Sequence, residues 1–291
     1  MPSIAIVTDS SAHTTSAAPF RSAYVVPHRI TIGGRTYREH VDLTAEDAFL
    51  LLSASPSTPP VLHPPTAADY AALFTRLAQD YDAIISLHAS REILASWAHG
   101  RVAAAQLPGY GKIEIIDTRT ISAGQAMLVR LAENAVEQGQ SLDEIVRLLR
   151  GAVERVYSIY YVDTMELLEV NQIMPPSHTI LGGMLGIKPM LTIEEGRLTP
   201  IEKVRTRAQA VDRLVEFAVE FVNFEEAVIL QNRAAATEQT RMLNERLALE
   251  FADRPFAQQL YGPSLAALIG PDALGLVILE SETKDEGDDY D

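Results

Sequence analysis

The runs Ala83-Ile84-Ile85-Ser86-Leu87 and Lys112-Ile113-Glu114-Ile115-Ile116 are flanked by three stretches of helical periodicity, residues 66–79, 93–106 and 121–138. Short Ile-rich runs alternating with longer helical ones predict strands and helices in turn. Such strands lie in a mainly parallel sheet covered on both faces, which makes the fold class α/β. On the N-terminal side, residues 3–8 form a further apolar run that breaks at Asp9-Ser10-Ser11, the pattern of a buried strand opening into a turn. Residues 24–32 and 35–37 about Gly33-Gly34 read as a hairpin, and Thr44 with Glu46 and Asp47 opens a helix over 44–52. Pro56, Pro59, Pro60, Pro64 and Pro65 then predict an extended loop without regular structure over 53–65.

On the C-terminal side, a helix over 141–154 begins with the capping box Ser141 to Glu144 and places Leu142, Ile145, Leu148 and Leu149 on one face. A chain of 291 residues exceeds the usual size of one core, so two α/β lobes are expected, 1–154 and 155–280, with a ligand crevice between them. The second lobe reads as strand 156–162, helix 164–173, a small apolar stretch 179–186, a hairpin 190–193 and 198–200 about Glu195-Gly196, helix 206–223, strand 227–231, helix 237–251 and strand 274–279. Residues 281–291 are expected to be a disordered acidic tail.

Composition narrows the function. A net charge of -15 repels polyanions and argues against a nucleic-acid partner, and the absence of cysteine removes disulfides, thiolate catalysis and Cys-ligated metals. The N-terminus lacks a basic and apolar leader and no apolar run approaches the ~18 residues of a membrane span, so the expectation is a soluble, cytoplasmic protein.

The histidines are scattered singly, without the spacing of a metal site. Ser10, Ser11, Ser90 and Ser122 follow strand ends but lack the G-x-S-x-G turn that exposes a nucleophile, and read as helix caps. Gly182-Gly183 with Gly186 lacks the Lys-Ser/Thr of a phosphate loop, so no nucleotide cofactor is expected. Asp9 and Asp117 follow apolar strands and could bind a cation, orient a hydroxyl, or cap the next helix. Trp97, in an Ala-rich helix, reads as core. Strand ends after Val7 and Leu87, the proline loop and the apolar Ile180 to Leu185 segment can share one crevice at the sheet edge. With Leu181, Met184, Leu185 and Met190 lining it, that crevice suits an amphiphile's tail.

The segments I-V-T-D-S-S at Ile6 to Ser11, V-P-x-x-I at Val26 to Ile30, I-I-D-T-x-T-I-S-A-G at Ile115 to Gly124, G-I-K-P-M-L-x-I-E-E-G-R-L at Gly186 to Leu198 and G-P-x-A-L-G at Gly270 to Gly275 occur in an order that resembles the DegV family. The resemblance implies two α/β lobes holding a long-chain fatty acid, and a carrier without catalytic residues that in some bacteria delivers the acid to a separate kinase. The family's T-S-Q-P-S loop falls on Val61-Leu62-His63-Pro64-Pro65, and its S-S-x-L-S-G-T turn on His88-Ala89-Ser90-Arg91-Glu92-Ile93-Leu94. Its histidine before the final glycine-proline falls on Leu268, and its G-G-R-I on Val170-Asn171-Gln172-Ile173, which places a kinase partner in doubt. The resemblance therefore implies an altered head-group end formed by Val61, Leu62, His63, His88, Ala89, Ser90 and Leu268. Two other readings stand beside the carrier: a hydrolase or phosphotransferase using Asp9, Ser10, His88 and Asp117, and a degenerate protein-binding scaffold.

Overall fold

The computed structural model describes residues 3–14, 19–55, 58–107, 112–163, 165–175, 186–252 and 254–282. Strand β1 (Ile4–Asp9) lies at the centre of a four-stranded parallel sheet with β2 (Tyr24–Val26), β6 (Ala83–His88) and β7 (Lys112–Asp117), in the order β2-β1-β6-β7. The two Ile-rich runs are β6 and β7, paired in parallel from Ala83 opposite Lys112 to His88 opposite Asp117. Alternation along these strands divides two cores. Ile4, Ile6, Ile85 and Leu87 face a large apolar cluster, while Ala5, Val7 and Ile84 face Tyr70 and Phe74 of α2 (Ala67–Leu77) and Ala103 of α3 (Ser96–Ala105).

The expected hairpin at 24–37 is divided by Pro27. The part before it pairs with β1, and only β3 (Arg29–Ile32) and β4 (Arg35–Arg38) form the hairpin. A second correction concerns the proline loop, which carries a strand. The proline-free triplet β5 (Val61–His63) pairs antiparallel with β3, completing a small sheet β4-β3-β5. Pro60 and Pro64 flank the triplet, so they remove no donor from it. Helix α1 (Ala45–Ala54) starts at Thr44, which accepts from Asp47 N–H.

After α4 (Ala123–Glu137) and α5 (Leu142–Val153), whose Ser141–Glu144 capping box is formed, the chain builds a six-stranded sheet. Its members are β8 (Val156–Val162), β9 (Lys188–Glu194), β10 (Arg197–Val204), β11 (Phe224–Gln231), β12 (Ala257–Leu260) and β13 (Ala273–Glu280), in the order β10-β9-β8-β13-β11-β12. All its pairings are antiparallel except β11 with β12. One face, with Ile159, Tyr161, Ile229, Leu276 and Ile278, packs on α7 (Arg207–Val219) and α8 (Glu238–Glu250). The other, with Tyr160, Val162, Leu230, Val277 and Leu279, joins the large cluster that also holds Ile4, Ile6, Ile85 and Leu87. The short helices α6 (Glu166–Val170) and α9 (Pro263–Ile269) border that shared core, and every residue of α9 is buried. Among the described residues no helix is long and apolar enough to cross a membrane.

Candidate functional site

β1 and β6 end side by side at Asp9 and His88, and the polar groups gathered there are wholly enclosed. Asp9, Ser10, His28, Glu39, Ser86, His88, Ser96 and Gln125 show no exposure and Ser264 almost none. Buried charges persist only when paired and hydrogen-bonded, and here both carboxylates are. Asp9 Oδ1 accepts from Ser11 N (3.2 Å), Gln125 Nε2 (3.3 Å) and the Ser11 hydroxyl, and stands 3.3 Å from His28 Nε2. Its Oδ2 accepts from Ala89 N (3.4 Å). His88 Nδ1 is 3.4 Å from the same oxygen, at ion-pair range but outside hydrogen-bond geometry. Glu39 Oε1 accepts from Ser264 N (2.7 Å), and Oε2 from the hydroxyls of Ser264 and Ser10, both at 2.6 Å.

The donors and acceptors around His28 favour one protonation pattern. The Ser264 hydroxyl proton goes to Glu39, so toward His28 Nδ1 at 3.2 Å its oxygen is the acceptor and the ring nitrogen the donor. The other nitrogen, Nε2, lies 3.2 Å from Ser96 Oγ and 3.3 Å from Asp9 Oδ1, and the carboxylate beside it favours a doubly protonated ring. Burial drives the Asp9 carboxyl pKa upward, but His28 and then His88 outweigh it and hold it well below the usual carboxylate range. Burial likewise opposes protonation of His28, yet Asp9 and Glu39 outweigh it and raise its pKa.

Ser86, His88 and Asp9 line up as Ser–His–acid: Ser86 Oγ is 2.9 Å from His88 Nε2. The connectivity resembles a catalytic triad, but α3 lies directly on it. A Cβ added at Gly100 would stand 2.7 Å from His88 Nε2, so that side of the ring has no room for an acyl group. A nucleophile needs a reacting atom about 3 Å away.

The structure brings several sequence-predicted residues around this network. Ala89 donates its N–H to Asp9. Ser90 is buried, its N–H bound to Thr120 O at 2.8 Å. Leu268 lies one turn beyond Ser264 on α9, buried in the shared core, with its carbonyl accepting from Asn171 Nδ2 at 3.1 Å. On β5, Leu62 packs toward the same core, whereas Val61 is half exposed and His63 is exposed, its Nε2 3.1 Å from Thr31 Oγ1. Met190 is buried on the opposite face of the six-stranded sheet, with the α7 and α8 cluster. Leu181, Met184 and Leu185 lie outside the described residues.

Of the four residues of the enzyme reading, Asp9, Ser10 and His88 converge. Asp117 does not, because it caps the neighbouring loop by accepting from Arg91 N and Arg119 N. Ser10 and Ser11 serve carboxylates rather than helix caps, and Ser122 sits at the N-cap of α4 without a capping bond. Trp97 is half-buried between the guanidinium groups of Arg91 and Arg101 rather than in the core. Among the described residues no group of three or more His, Asp or Glu converges as metal ligands. Sequence reasoning missed Glu39 and Ser264 altogether, since a lone glutamate after a hairpin and a serine after a proline carry no local sign of burial.

The family model described as "Uncharacterised protein, DegV family" matches residues 3–281. A DegV domain-containing protein of Caldanaerobacter subterraneus subsp. tengcongensis is 28% identical over 288 residues, 96% of this chain and 100% of that protein. The crystal structure of a fatty acid binding DegV family protein from Streptococcus agalactiae superposes with a TM-score of 0.86 at 27% identity, over 97% of this chain and 100% of the other. A fatty acid binding DegV family protein from Thermus thermophilus, at 23% identity and TM-score 0.83 over 96% of this chain and 100% of that one, shares the fold. The motif order, the parallel sheet with its companion six-stranded sheet, and these likenesses lead to one conclusion: the chain belongs to the DegV family.

Proposed function

We propose that this protein is a lipid carrier that holds a long-chain fatty acid or related amphiphile between two lobes, residues 1–154 and 155–280, and that its head-group end is altered. The carrier part is supported by likeness over 97% of the chain to the fatty acid binding protein of Streptococcus agalactiae. The altered head-group part rests on one observation: the hydrogen-bond donors around Ala89 and Ser264 are already committed to Asp9 and Glu39. An incoming carboxylate would meet two carboxylates whose surrounding donors are already engaged, and burying it unpaired costs several kcal/mol. A neutral head, such as an alcohol or ester, avoids that cost. Productive coupling to a fatty-acid kinase is not expected, because Gln172 occupies the position of the family's arginine.

Mass spectrometry of material extracted from the purified protein tests the carrier reading, with acyl chains as the expected finding. Calorimetry then compares a long-chain acid with its methyl ester. A charge-assisted hydrogen bond is worth about 1.5–3 kcal/mol, so a working carboxylate site would favour the acid by roughly tenfold or more. The altered end predicts no such preference, and finding one would overturn it.

A further inference from the structure

The β9–β10 hairpin turns at Glu195-Gly196, and its tip rests on two loops of the parallel sheet's C-terminal edge. Charges pair crosswise at this contact. Glu195 of the hairpin meets Arg119, which also binds Glu154 at 2.6 Å, and Arg197 of the hairpin meets Glu92 at 2.5 Å. Between the two pairs Gly196, at φ +80°, sits so close to Ser90 that an added Cβ would collide with the serine hydroxyl, with the two Cβ positions 3.6 Å apart. The gripped loops are themselves joined, since Ser90 N donates to Thr120 O and Asp117 accepts from both Arg91 N and Arg119 N.

Behind the tip the hairpin is apolar. Leu191, Ile193 and Leu198 pack into the shared core that also contains Ala89, Leu94 and Leu268. The tip's side chains lie largely in solvent, Glu195 at 87% and Arg197 at 68% exposure, and exposed ion pairs contribute little net stability. The base of the hairpin, in contrast, is held by the β8–β9 ladder from Ile159 opposite Thr192 to Tyr161 opposite Met190. A weakly held tip on a firmly held base, with apolar surface beneath, is the construction of a gate.

We propose that the Glu195-Gly196 tip is the gate for ligand entry and release, and that Gly196 and Ser90 are the residues that position it. The proposal rests on the lipid-binding reading. Release of Arg119 and Glu92 from the tip would uncover Leu191, Ile193 and Leu198, which pack in the core with Ala89 and Leu268, while the sheet stays paired.

The protein contains no cysteine, so a single engineered disulfide can lock the tip. The 3.6 Å separation lies within the disulfide range for Cβ atoms. The double variant Ser90→Cys/Gly196→Cys is loaded with a pyrene-labelled long-chain acyl methyl ester, and separately with the labelled free acid. Probe release is then followed by stopped flow in oxidised and reduced forms of the same variant. Oxidation should slow release by roughly tenfold or more, and reduction should restore it. Because cysteine at φ +80° is strained, Glu195→Lys/Arg197→Glu, which sets like charges against Arg119 and Glu92, provides a second arm and should accelerate release. Binding with equal release rates in the locked and unlocked forms, and in the charge-reversed form, would overturn the gate alone. No binding of either probe to the wild type would overturn the lipid-binding reading and the gate with it.

Discussion

His28 Nε2 stands 3.3 Å from Asp9 Oδ1 with both side chains wholly enclosed, although 18 residues, Pro27 among them, separate Asp9 at the end of β1 from His28 in the link between β2 and β3. Their pKa values move apart in the direction that keeps the pair ionised, Asp9 down and His28 up. A depressed carboxyl contributes stability above its unfolded value of about 3.9 that is lost as pH falls through the folded one. A raised imidazole contributes stability below about 6.5 that is lost as pH rises through its folded value. Asp9→Asn should therefore cost the most between these limits, about 3–5 kcal/mol, and less as pH rises through the raised folded value of His28. Denaturant melts in steps from roughly pH 6 to pH 10 check this, and a loss that stays constant across the whole series would refute the ion pair.

At Gly100 the usual rule for a helix interior should reverse. Glycine to alanine there ordinarily stabilises by about 0.5–1 kcal/mol. Here the new Cβ would press on His88 Nε2 and break its contact with Ser86, so Gly100→Ala should destabilise by about 1–3 kcal/mol. In a His88→Ala background the same substitution should turn neutral or stabilising. A double-mutant cycle showing additive effects would mean that the two residues do not touch.

Glu39, just past β4, accepts three hydrogen bonds, two from Ser264 on α9 and one from Ser10 after β1. An amide in its place can turn only one oxygen toward these donors and sets its own N–H groups against the others. Glu39→Gln should lower stability by about 1–3 kcal/mol, with faster amide exchange at α9. Unchanged exchange at Ser264 and the residues after it would show that α9 is held by packing alone.

Gln172 is a site where the protein can be made more stable. It adopts φ +59° after α6, in a Schellman closure where Gln172 N donates to Glu169 O (2.9 Å) and Ile173 N to Leu168 O (2.7 Å). Glycine takes this conformation without a Cβ penalty, so Gln172→Gly should raise stability by about 1 kcal/mol. Thermal melts of the two proteins decide it, and a lower Tm in the variant would count against the closure.

Much of this fold was legible from short stretches. The Ile-rich runs became β6 and β7, Thr44 and Ser141 accept the capping bonds expected of them, and Thr206 and Thr237 cap the helices that were expected to begin there. The DegV membership follows from motif order. These signals act through backbone dihedrals, caps and period-two or period-3.6 patterning, each confined to a few residues. Tertiary structure alone decided which polar groups became buried and whom they met. Ser264 reaches Glu39 across 225 residues and His28 across 236, and β5 became a strand only because β3 offered its edge. A glutamate that is solvated in a loop and one enclosed by serine donors have the same local sequence signature. Their difference lies in the desolvation imposed by α9, α3 and the two sheets closing over them, a property of distant elements that no short stretch of sequence encodes.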